Sequence, residues 1–292
     1  MTTMTRRELL LAAAAPLAAA PNTGKPSLCI FSKHLPKLDY DGLGRQSKEF
    51  GFDGVDLTVR PKGHVLPQNA ARDLPRAVAA IRAHGVSVPM ITTGLTAPDD
   101  PAAEPTLRAA GGLGIPFFKV GYTRYKEANI LDQLAACKPD LAGLVAIGKE
   151  HGVAAGYHNH SGNFLGAAVW DIREMMRDLD PKWAGHYFDP CHATIEGGKF
   201  GWRASLDIAL PRLNMIAVKD FYWEKRDGEW NVNWCPLGEG MVDWDAFFQI
   251  IARARFTGPI SLHVEYHADD EHAAIAKDLA FLKRMAAKAY GS

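Results

Sequence analysis

Histidine, lysine and carboxylate side chains recur directly after short apolar runs of this sequence. The runs lead into the segments FSKHL, VDLTVRPKGHV, GYHNH, YFDPCH, AVKDFYW and LHVEYH. Imidazole and carboxylate groups that converge in one pocket can ligate a divalent ion such as Mn, Co, Zn or Mg, and they transfer protons near neutral pH. A single histidine is more often structural, but the chain has 11, so these segments indicate a metal site or a metal-free polar pocket.

The spacing of the apolar runs predicts a fold of the α/β class, a single (β/α)8 TIM barrel. The predicted strands are 27–31, 54–57, 87–92, 117–120, 154–158, 185–189, 215–219 and 260–265. Most of them show little alternation, which is typical of parallel strands buried on both faces. Amphipathic stretches between the runs predict helices at 74–83, 130–151, 169–179, 244–254 and 270–290. The active site of such a barrel lies at the carboxyl ends of its strands, which is where the polar residues fall.

A long polar stretch at 221–240, after the seventh predicted strand, contains Trp223, Trp230 and Trp234. A Trp-rich loop at the mouth of a barrel is a candidate lid, or a surface on which a sugar ring stacks. The alternative is a packed hairpin that only covers the barrel.

The composition disfavours two other classes of protein. The 33 basic and 33 acidic residues give a formal net charge of zero. Nucleic-acid binders usually carry a basic surface, so no nucleic-acid partner is expected. The four cysteines are far apart and form no CxxC pair, which predicts isolated thiols and not a structural zinc site or a disulfide framework.

Residues 1–20 have the pattern of a twin-arginine export signal. Arg6 and Arg7 precede a short apolar run that ends in Ala18, Ala19 and Ala20. The run is too short to span a bilayer comfortably, so no stable membrane insertion is expected after the signal is removed. We therefore predict a periplasmic or exported protein whose barrel occupies 21–292. The alternative is a fraying N-terminal helix.

Taken together, the segments resemble the xylose isomerase-like TIM-barrel superfamily and, within it, the sugar (phosphate) isomerase/epimerase family. Each segment alone is weakly specific, and their order and spacing along the predicted barrel carry the resemblance. It implies a small-molecule carbohydrate substrate and a divalent metal ion. Barrels of this kind often dimerise, so a homodimer is one expected state.

The resemblance places the metal ligands at His158, Asp189 and Glu265. His158 stands where the family commonly has a glutamate, and Ala217 stands where an HxKD-type segment has a histidine. Alanine cannot coordinate, and Lys219 brings an ammonium near the ion, which disfavours a second cation. Three outcomes stay open: the ion binds weakly, other histidines rebuild the site, or Lys219 has taken over part of the chemistry.

Family members of the ketose epimerase type shuttle a proton next to a carbonyl. By resemblance, Glu265 and His158 act as the two bases, and Lys219 acts as a base or holds an oxyanion. The alternative for Lys219 is a salt bridge without a catalytic role. The residues expected to bind substrate are His34, Arg60, His64, His160, His192 and Trp223.

These expectations favour a sugar or keto-sugar isomerase or epimerase. A lyase or dehydratase of the inosose dehydratase type would use the same proton abstraction, followed by β-elimination. Because of Ala217, a non-catalytic sugar-binding barrel is a second alternative. The neutral charge, the export signal and the same alanine disfavour an apurinic endonuclease.

Overall fold

The computed structural model of the protein describes residues 24–291, so the predicted export signal lies outside the described residues. Its strands are β1 (Ser27–Phe31), β2 (Gly54–Val59), β3 (Ser87–Thr93), β4 (Phe117–Lys119), β5 (Ala154–His158), β6 (Ala184–Phe188), β7 (Leu213–Val218), β8 (Asp220–Arg226), β9 (Glu229–Cys235) and β10 (Pro259–Leu262). All of them except β8 and β9 close into a barrel in the order β1-β10-β7-β6-β5-β4-β3-β2, with parallel pairing throughout. The predicted TIM barrel is confirmed.

Helices follow the barrel strands and cover the outside of the barrel. They are α1 (Tyr40–Phe50), α2 (Ala70–Ala83), α3 (Ala103–Gly112), α4 (Ile130–His151), α5 (Val169–Met176), α6 (Pro190–Ala209), α7 (Trp244–Arg253) and α8 (Glu271–Tyr290). The bounds of α4 are those predicted, because its ends are marked in the sequence. The Asn129 side chain accepts hydrogen bonds at the start of α4, and Gly152 ends it in the left-handed region. Within residues 24–291, every helix is too short or too polar to cross a lipid bilayer.

Two apolar clusters fill the fold. The larger one lies between the strands and the helices, as expected for parallel strands buried on both faces. The smaller one, inside the barrel, consists of Met90, Tyr187, Met215 and Ala217, with Phe117 packed against it. Ala217 is therefore part of the barrel interior, where larger side chains occupy the space around it.

Four strands, β4, β6, β7 and β10, end earlier than predicted. For β6 and β10 the difference changes the setting of their last polar residues. β6 ends at Phe188, so Asp189 is the N-cap of α6, and its side chain accepts a hydrogen bond from the His192 backbone N–H. β10 ends at Leu262, so His263 and Glu265 follow the strand. The His263 backbone N–H still donates to Val218 O, which keeps this segment on the barrel rim.

The predicted Trp-rich loop is an antiparallel hairpin of β8 and β9, and its base is tied to the barrel by Asp220. The Asp220 side chain is buried and accepts hydrogen bonds from the backbone of Phe221, Gly238, Gly240 and Val242 and from Nε1 of Trp244. A side chain at Gly240 would clash with Asp220, so this close approach requires glycine there.

We expect Asp220→Ala to lower the free energy of unfolding by about 3 kcal/mol, because buried N–H donors lose their charged acceptor. Urea denaturation followed by circular dichroism measures the loss. Asp207→Ala, on the exposed side of α6, is the control and should change stability by less than about 0.5 kcal/mol. Equal stabilities for the two variants would show that Asp220 does not tie the hairpin base to the barrel.

Candidate active site

A cavity of about 180 Å³ opens at the carboxyl ends of the barrel strands. Of the residues predicted to do chemistry or bind substrate, five line it together: Arg60, His158, His160, Lys219 and Glu265. The other lining residues are Phe31, Lys33, Thr92, Lys119, Tyr122, Tyr187 and His263. Residues at the carboxyl ends of different strands, or just after them, thus bring their side chains together around one small cavity.

Asp189 occupies the centre of the polar cluster beside this cavity. Its Oδ1 caps α6, which leaves Oδ2 for the side chains around it. Lys219 Nζ lies 2.7 Å from Oδ2, and both side chains are nearly inaccessible to solvent. Burial alone would raise the pKa of Asp189, but Lys219 and the nearby histidines hold it well below its usual value. Burial likewise opposes the charge of Lys219, yet the carboxylates of Asp189 and Glu265 raise its pKa. The two groups therefore form a buried ion pair.

Two histidines share Asp189 with the lysine. His158 Nε2 lies 3.3 Å and His192 Nε2 lies 3.8 Å from Asp189 Oδ2. One ligand atom from each of these three residues falls within 4.8 Å of the other two, which makes them a possible metal-binding group. His192 Nδ1 bonds to Ser161 Oγ at 2.7 Å, and its buried Nε2 has no hydrogen-bond partner among the described residues.

Glu265, predicted as the third ligand, lies outside this group. Its Oε1 is 2.6 Å from Lys33 Nζ and 3.7 Å from His263 Nδ1. Burial would raise the pKa of Glu265, but the contact with His263 and the charges of Lys219 and Lys33 lower it strongly. Glu265 is therefore an ionised carboxylate that faces the cavity.

His158 is a neutral imidazole in this environment, because burial lowers its pKa to about 3. Its Nε2 faces the Asp189 carboxylate, which can only accept, so Nε2 donates and Nδ1 accepts. Nδ1 lies 2.5 Å from the Tyr122 hydroxyl, which donates to it. Tyr122 and His158 thus form a hydrogen-bonded pair on the wall of the cavity.

A second hydrogen-bonded chain runs into the barrel from the Glu265 side. The Tyr187 hydroxyl lies 3.1 Å from both His263 Nε2 and Asp56 Oδ2. Asp56 is fully buried and also accepts hydrogen bonds from Thr92 at 2.7 Å and Ser261 at 2.9 Å. Burial, only partly offset by these hydroxyls, raises the pKa of Asp56 to about 6.

Three predicted substrate contacts have other surroundings. Both ring nitrogens of His64 are engaged, by Thr58 Oγ1 and the Leu35 carbonyl, so His64 does not line the cavity. His34 Nε2 accepts from the Val264 backbone N–H and faces a separate surface cleft. Trp223 lines a different cavity, about 390 Å³, beside the hairpin. The tryptophan nearest the candidate site is Trp234, whose ring lies 5.9 Å from that of His192.

Lys119 and Tyr122 line the cavity but are absent from the predicted set. Lys119 is the last residue of the short β4, and Tyr122 follows three residues later. The run FFKVGY is mostly apolar, so the sequence marks β4 as a buried strand and not as a polar strand end. A lysine within an apolar strand was the signal available, since an unpaired buried lysine is costly.

The sequence profile of xylose isomerase-like TIM barrels matches residues 45–285. This chain belongs to that family. The match confirms the resemblance inferred from the strand-end segments. No curated protein is significantly similar to the chain in sequence.

Several solved structures share the fold of this chain at low sequence identity. The apo form of 3-keto-D-glucoside 4-epimerase from E. coli is 17% identical, with a TM-score of 0.71 over 89% of this chain and 100% of that one. A xylose isomerase-like TIM barrel protein from Mycobacterium smegmatis, in complex with magnesium, is 13% identical, with a TM-score of 0.70 over 94% and 100%. The probable 3-DHS dehydratase from Bacillus anthracis is 15% identical, with a TM-score of 0.67 over 89% and 98%.

The raised pKa of Asp56 predicts a pH-dependent cost to stability. A folded-state pKa of about 6, against 3.8 as its ordinary value, means that the folded state binds the proton more tightly, so stability falls as pH rises through this window. The Asp56→Asn variant has no ionisable group at this position, so its stability does not fall for this reason as the pH rises. We expect the free energy of unfolding of the variant, relative to wild type, to rise by about 2 kcal/mol from pH 4 to pH 8. A difference that is the same at both pH values would contradict the assignment.

Proposed function

We propose that this protein is an isomerase or epimerase of a sugar or keto-sugar, which moves a proton on the carbon next to a carbonyl. The observation that carries the proposal is the pairing of two proton carriers on one cavity: ionised Glu265 and neutral His158. Such chemistry needs a base on each side of the reacting carbon. Glu265 follows β10 and His158 ends β5, with β7 and β6 between them around the barrel.

Glu265 removes the proton in this proposal. Its charge makes it a proton acceptor at neutral pH, and Lys33 fixes the position of Oε1. On the other wall, the Tyr122 hydroxyl turns from His158 Nδ1 toward the carbanion and gives up its proton. The phenolate then regains a proton from solvent, and Glu265 releases to solvent the proton that it took. Return of a proton to the opposite face of the same carbon gives epimerisation, and return to the neighbouring carbon gives isomerisation.

Lys219 stabilises the negative charge that develops on the carbonyl oxygen. Its ammonium lines the cavity and is held in place by Asp189, so it needs little reorganisation as the oxyanion forms. In this role Lys219 acts as a cation, since Asp189 and Glu265 favour its charged form.

A divalent ion is the cofactor that the family resemblance implies. The described residues that would hold it are His158, Asp189 and His192, and the unpartnered Nε2 of His192 fits a missing ligand there. When bound, such an ion polarises a carbonyl and stabilises an enediolate. Lys219 and a metal ion compete for Asp189 Oδ2, so the ion binds at this oxygen only when the ammonium group moves away from it.

The dehydratase among the structural neighbours leaves a second outcome for the same proton abstraction. Loss of a hydroxyl from the carbon beyond the abstracted proton would give an unsaturated product. Mass spectrometry separates the two reactions, because isomerisation leaves the mass unchanged and dehydration removes one water.

Export is proposed together with this function. The twin-arginine pattern in residues 1–20 is the support, and a substrate met outside the cytoplasm is more often an unphosphorylated sugar. Cell fractionation with an Arg6→Lys, Arg7→Lys double variant tests it. Retention of the double variant in the cytoplasm supports export, and unchanged distribution contradicts it.

We expect Glu265→Gln to lower kcat/KM on any substrate by at least about 10³-fold, because the amide cannot accept the proton. The change is isosteric and lies at the rim, so the thermal unfolding midpoint should shift by less than about 3 °C. Glu150→Gln, on the exposed end of α4, is the matched control and should retain full activity. Activity of the Glu265 variant within a few-fold of wild type would remove this residue from the mechanism.

We expect Lys219→Met to bind Mn²⁺ at least about tenfold more tightly than wild type, because Asp189 is released from its ion pair. Isothermal titration calorimetry of the purified protein measures the affinity without any substrate. Lys149→Met, on the exposed face of α4, is the control for loss of a positive charge. Equal or weaker binding by the Lys219 variant would show that these ligands do not hold an ion.

A further inference from the structure

Four cationic side chains line the candidate active site, and only two of them are neutralised. Lys33 is paired with Glu265 and Lys219 with Asp189, at 2.6 and 2.7 Å. Arg60 and Lys119 line the same cavity, and among residues 24–291 neither forms an ion pair with a carboxylate. The side of the cavity at β2 and β4 therefore holds two basic side chains that no carboxylate pairs with among the described residues.

The surroundings of Lys119 make the lack of a paired carboxylate costly. Its side chain is 2% exposed, and Nζ lies 3.2 Å from the centre of the Tyr122 ring, a cation–π contact that does not neutralise the charge. Burial, strengthened by the positive charge of Arg60 and only partly offset by the carboxyl group of Asp56, lowers the pKa of Lys119 well below its usual value. An ammonium removed from water without a counter-charge is strongly destabilised.

The buried carboxyl group of Asp56 offsets these charges only in part, because it forms no ion pair with Lys119 or Arg60. Asp56 accepts hydrogen bonds from Thr92, Ser261 and Tyr187, and none from either cation. Its raised pKa of about 6 also reduces its charge on the acidic side of neutrality. The Arg60 guanidinium contacts the Phe31 ring at 5.4 Å, again without neutralisation.

We propose that Arg60 and Lys119 form a subsite for a carboxylate of the substrate, so that the substrate is an acidic sugar or keto-acid sugar. This rests on the proposed function, because it names the substrate class of the same cavity. The planar fork of Arg60 suits a carboxylate, and the ammonium of Lys119 adds a point charge beside it. A carboxylate bound there lies in the same cavity as Glu265 and His158, so it would orient the neighbouring carbons toward these residues.

A carboxylate fits better than a phosphate. Phosphate sites in proteins commonly use a glycine-rich loop or the N-terminus of a helix. The residues that line this cavity include no glycine and no first-turn residue of a helix α1–α8. The anion would be held by side chains alone.

The test compares binding of D-glucuronate, D-glucose and glucose 6-phosphate by isothermal titration calorimetry. The variants are Arg60→Met and Lys119→Met, with Lys149→Met as the control for an exposed lysine. We expect wild type to bind glucuronate at least about tenfold more tightly than glucose. Each cavity variant should lose at least about tenfold in glucuronate affinity and stay within about twofold for glucose, while the control matches wild type.

A readout without ligand guards against misfolding. Lys119→Met removes an unpaired buried cation and keeps an unbranched chain of similar length, so we expect its thermal unfolding midpoint to equal or exceed that of wild type. Arg60 is partly exposed, so its variant tests the subsite even if the Lys119 variant does not fold.

Three results would overturn the subsite: equal affinity for glucuronate and glucose in wild type, glucuronate affinity unchanged in the Arg60 variant, or tighter binding of glucose 6-phosphate than of glucuronate. Failure of the proposed function looks different. In that case glucuronate binds in an Arg60-dependent way, but no sugar or sugar acid is converted. Conversion of neutral keto-sugars without binding of acids would leave the function standing and refute the subsite.

Discussion

The buried ion pair between Lys219 and Asp189 sets the electrostatics of the barrel mouth. Asp189 uses one oxygen to cap α6 and the other to bind the ammonium, so its position is fixed by the backbone as well as by charge. Burial, reinforced by the charge of Lys219, lowers the pKa of the neighbouring His192, and His263, Lys219 and Lys33 together lower the pKa of Glu265. Cationic, neutral and anionic side chains thus coexist within one small cavity.

The closed barrel makes this arrangement possible, because it brings side chains from distant parts of the chain to one end. Lys33 and Glu265 are separated by most of the sequence, yet β1 and β10 are hydrogen-bonded neighbours. The interior below the site is filled by Met90, Tyr187 and Met215 around Ala217, which is where the family pattern has a histidine. Ala217 packs against these side chains and offers no ligand atom, while the buried Nε2 of the nearby His192 has no hydrogen-bond partner among the described residues.

Much of the fold was predictable from the sequence, and part of the site was not. Apolar runs that end in polar residues define the strands, and β1 and β5 have the predicted bounds. The bounds of α4 also agree, because Asn129 caps its start and Gly152 ends it. Side-chain direction is not encoded in the same way. His64 is held away from the cavity by hydrogen bonds to Thr58 and to the carbonyl of Leu35, which is 29 residues earlier in the chain. Lys119 lines the cavity although it belongs to an apolar strand, because residues from other strands complete the wall around it.

The central claim is that Glu265 removes the proton from the carbon next to the carbonyl of the substrate and that this proton exchanges with solvent. The most direct test is to incubate the protein in D₂O with a sugar that it converts, and to examine the product by NMR. The account predicts deuterium on the carbon next to the carbonyl, with a rate of incorporation that Glu265→Gln abolishes. Conversion of the sugar without deuterium, or incorporation that is unchanged in this variant, would contradict proton transfer through Glu265.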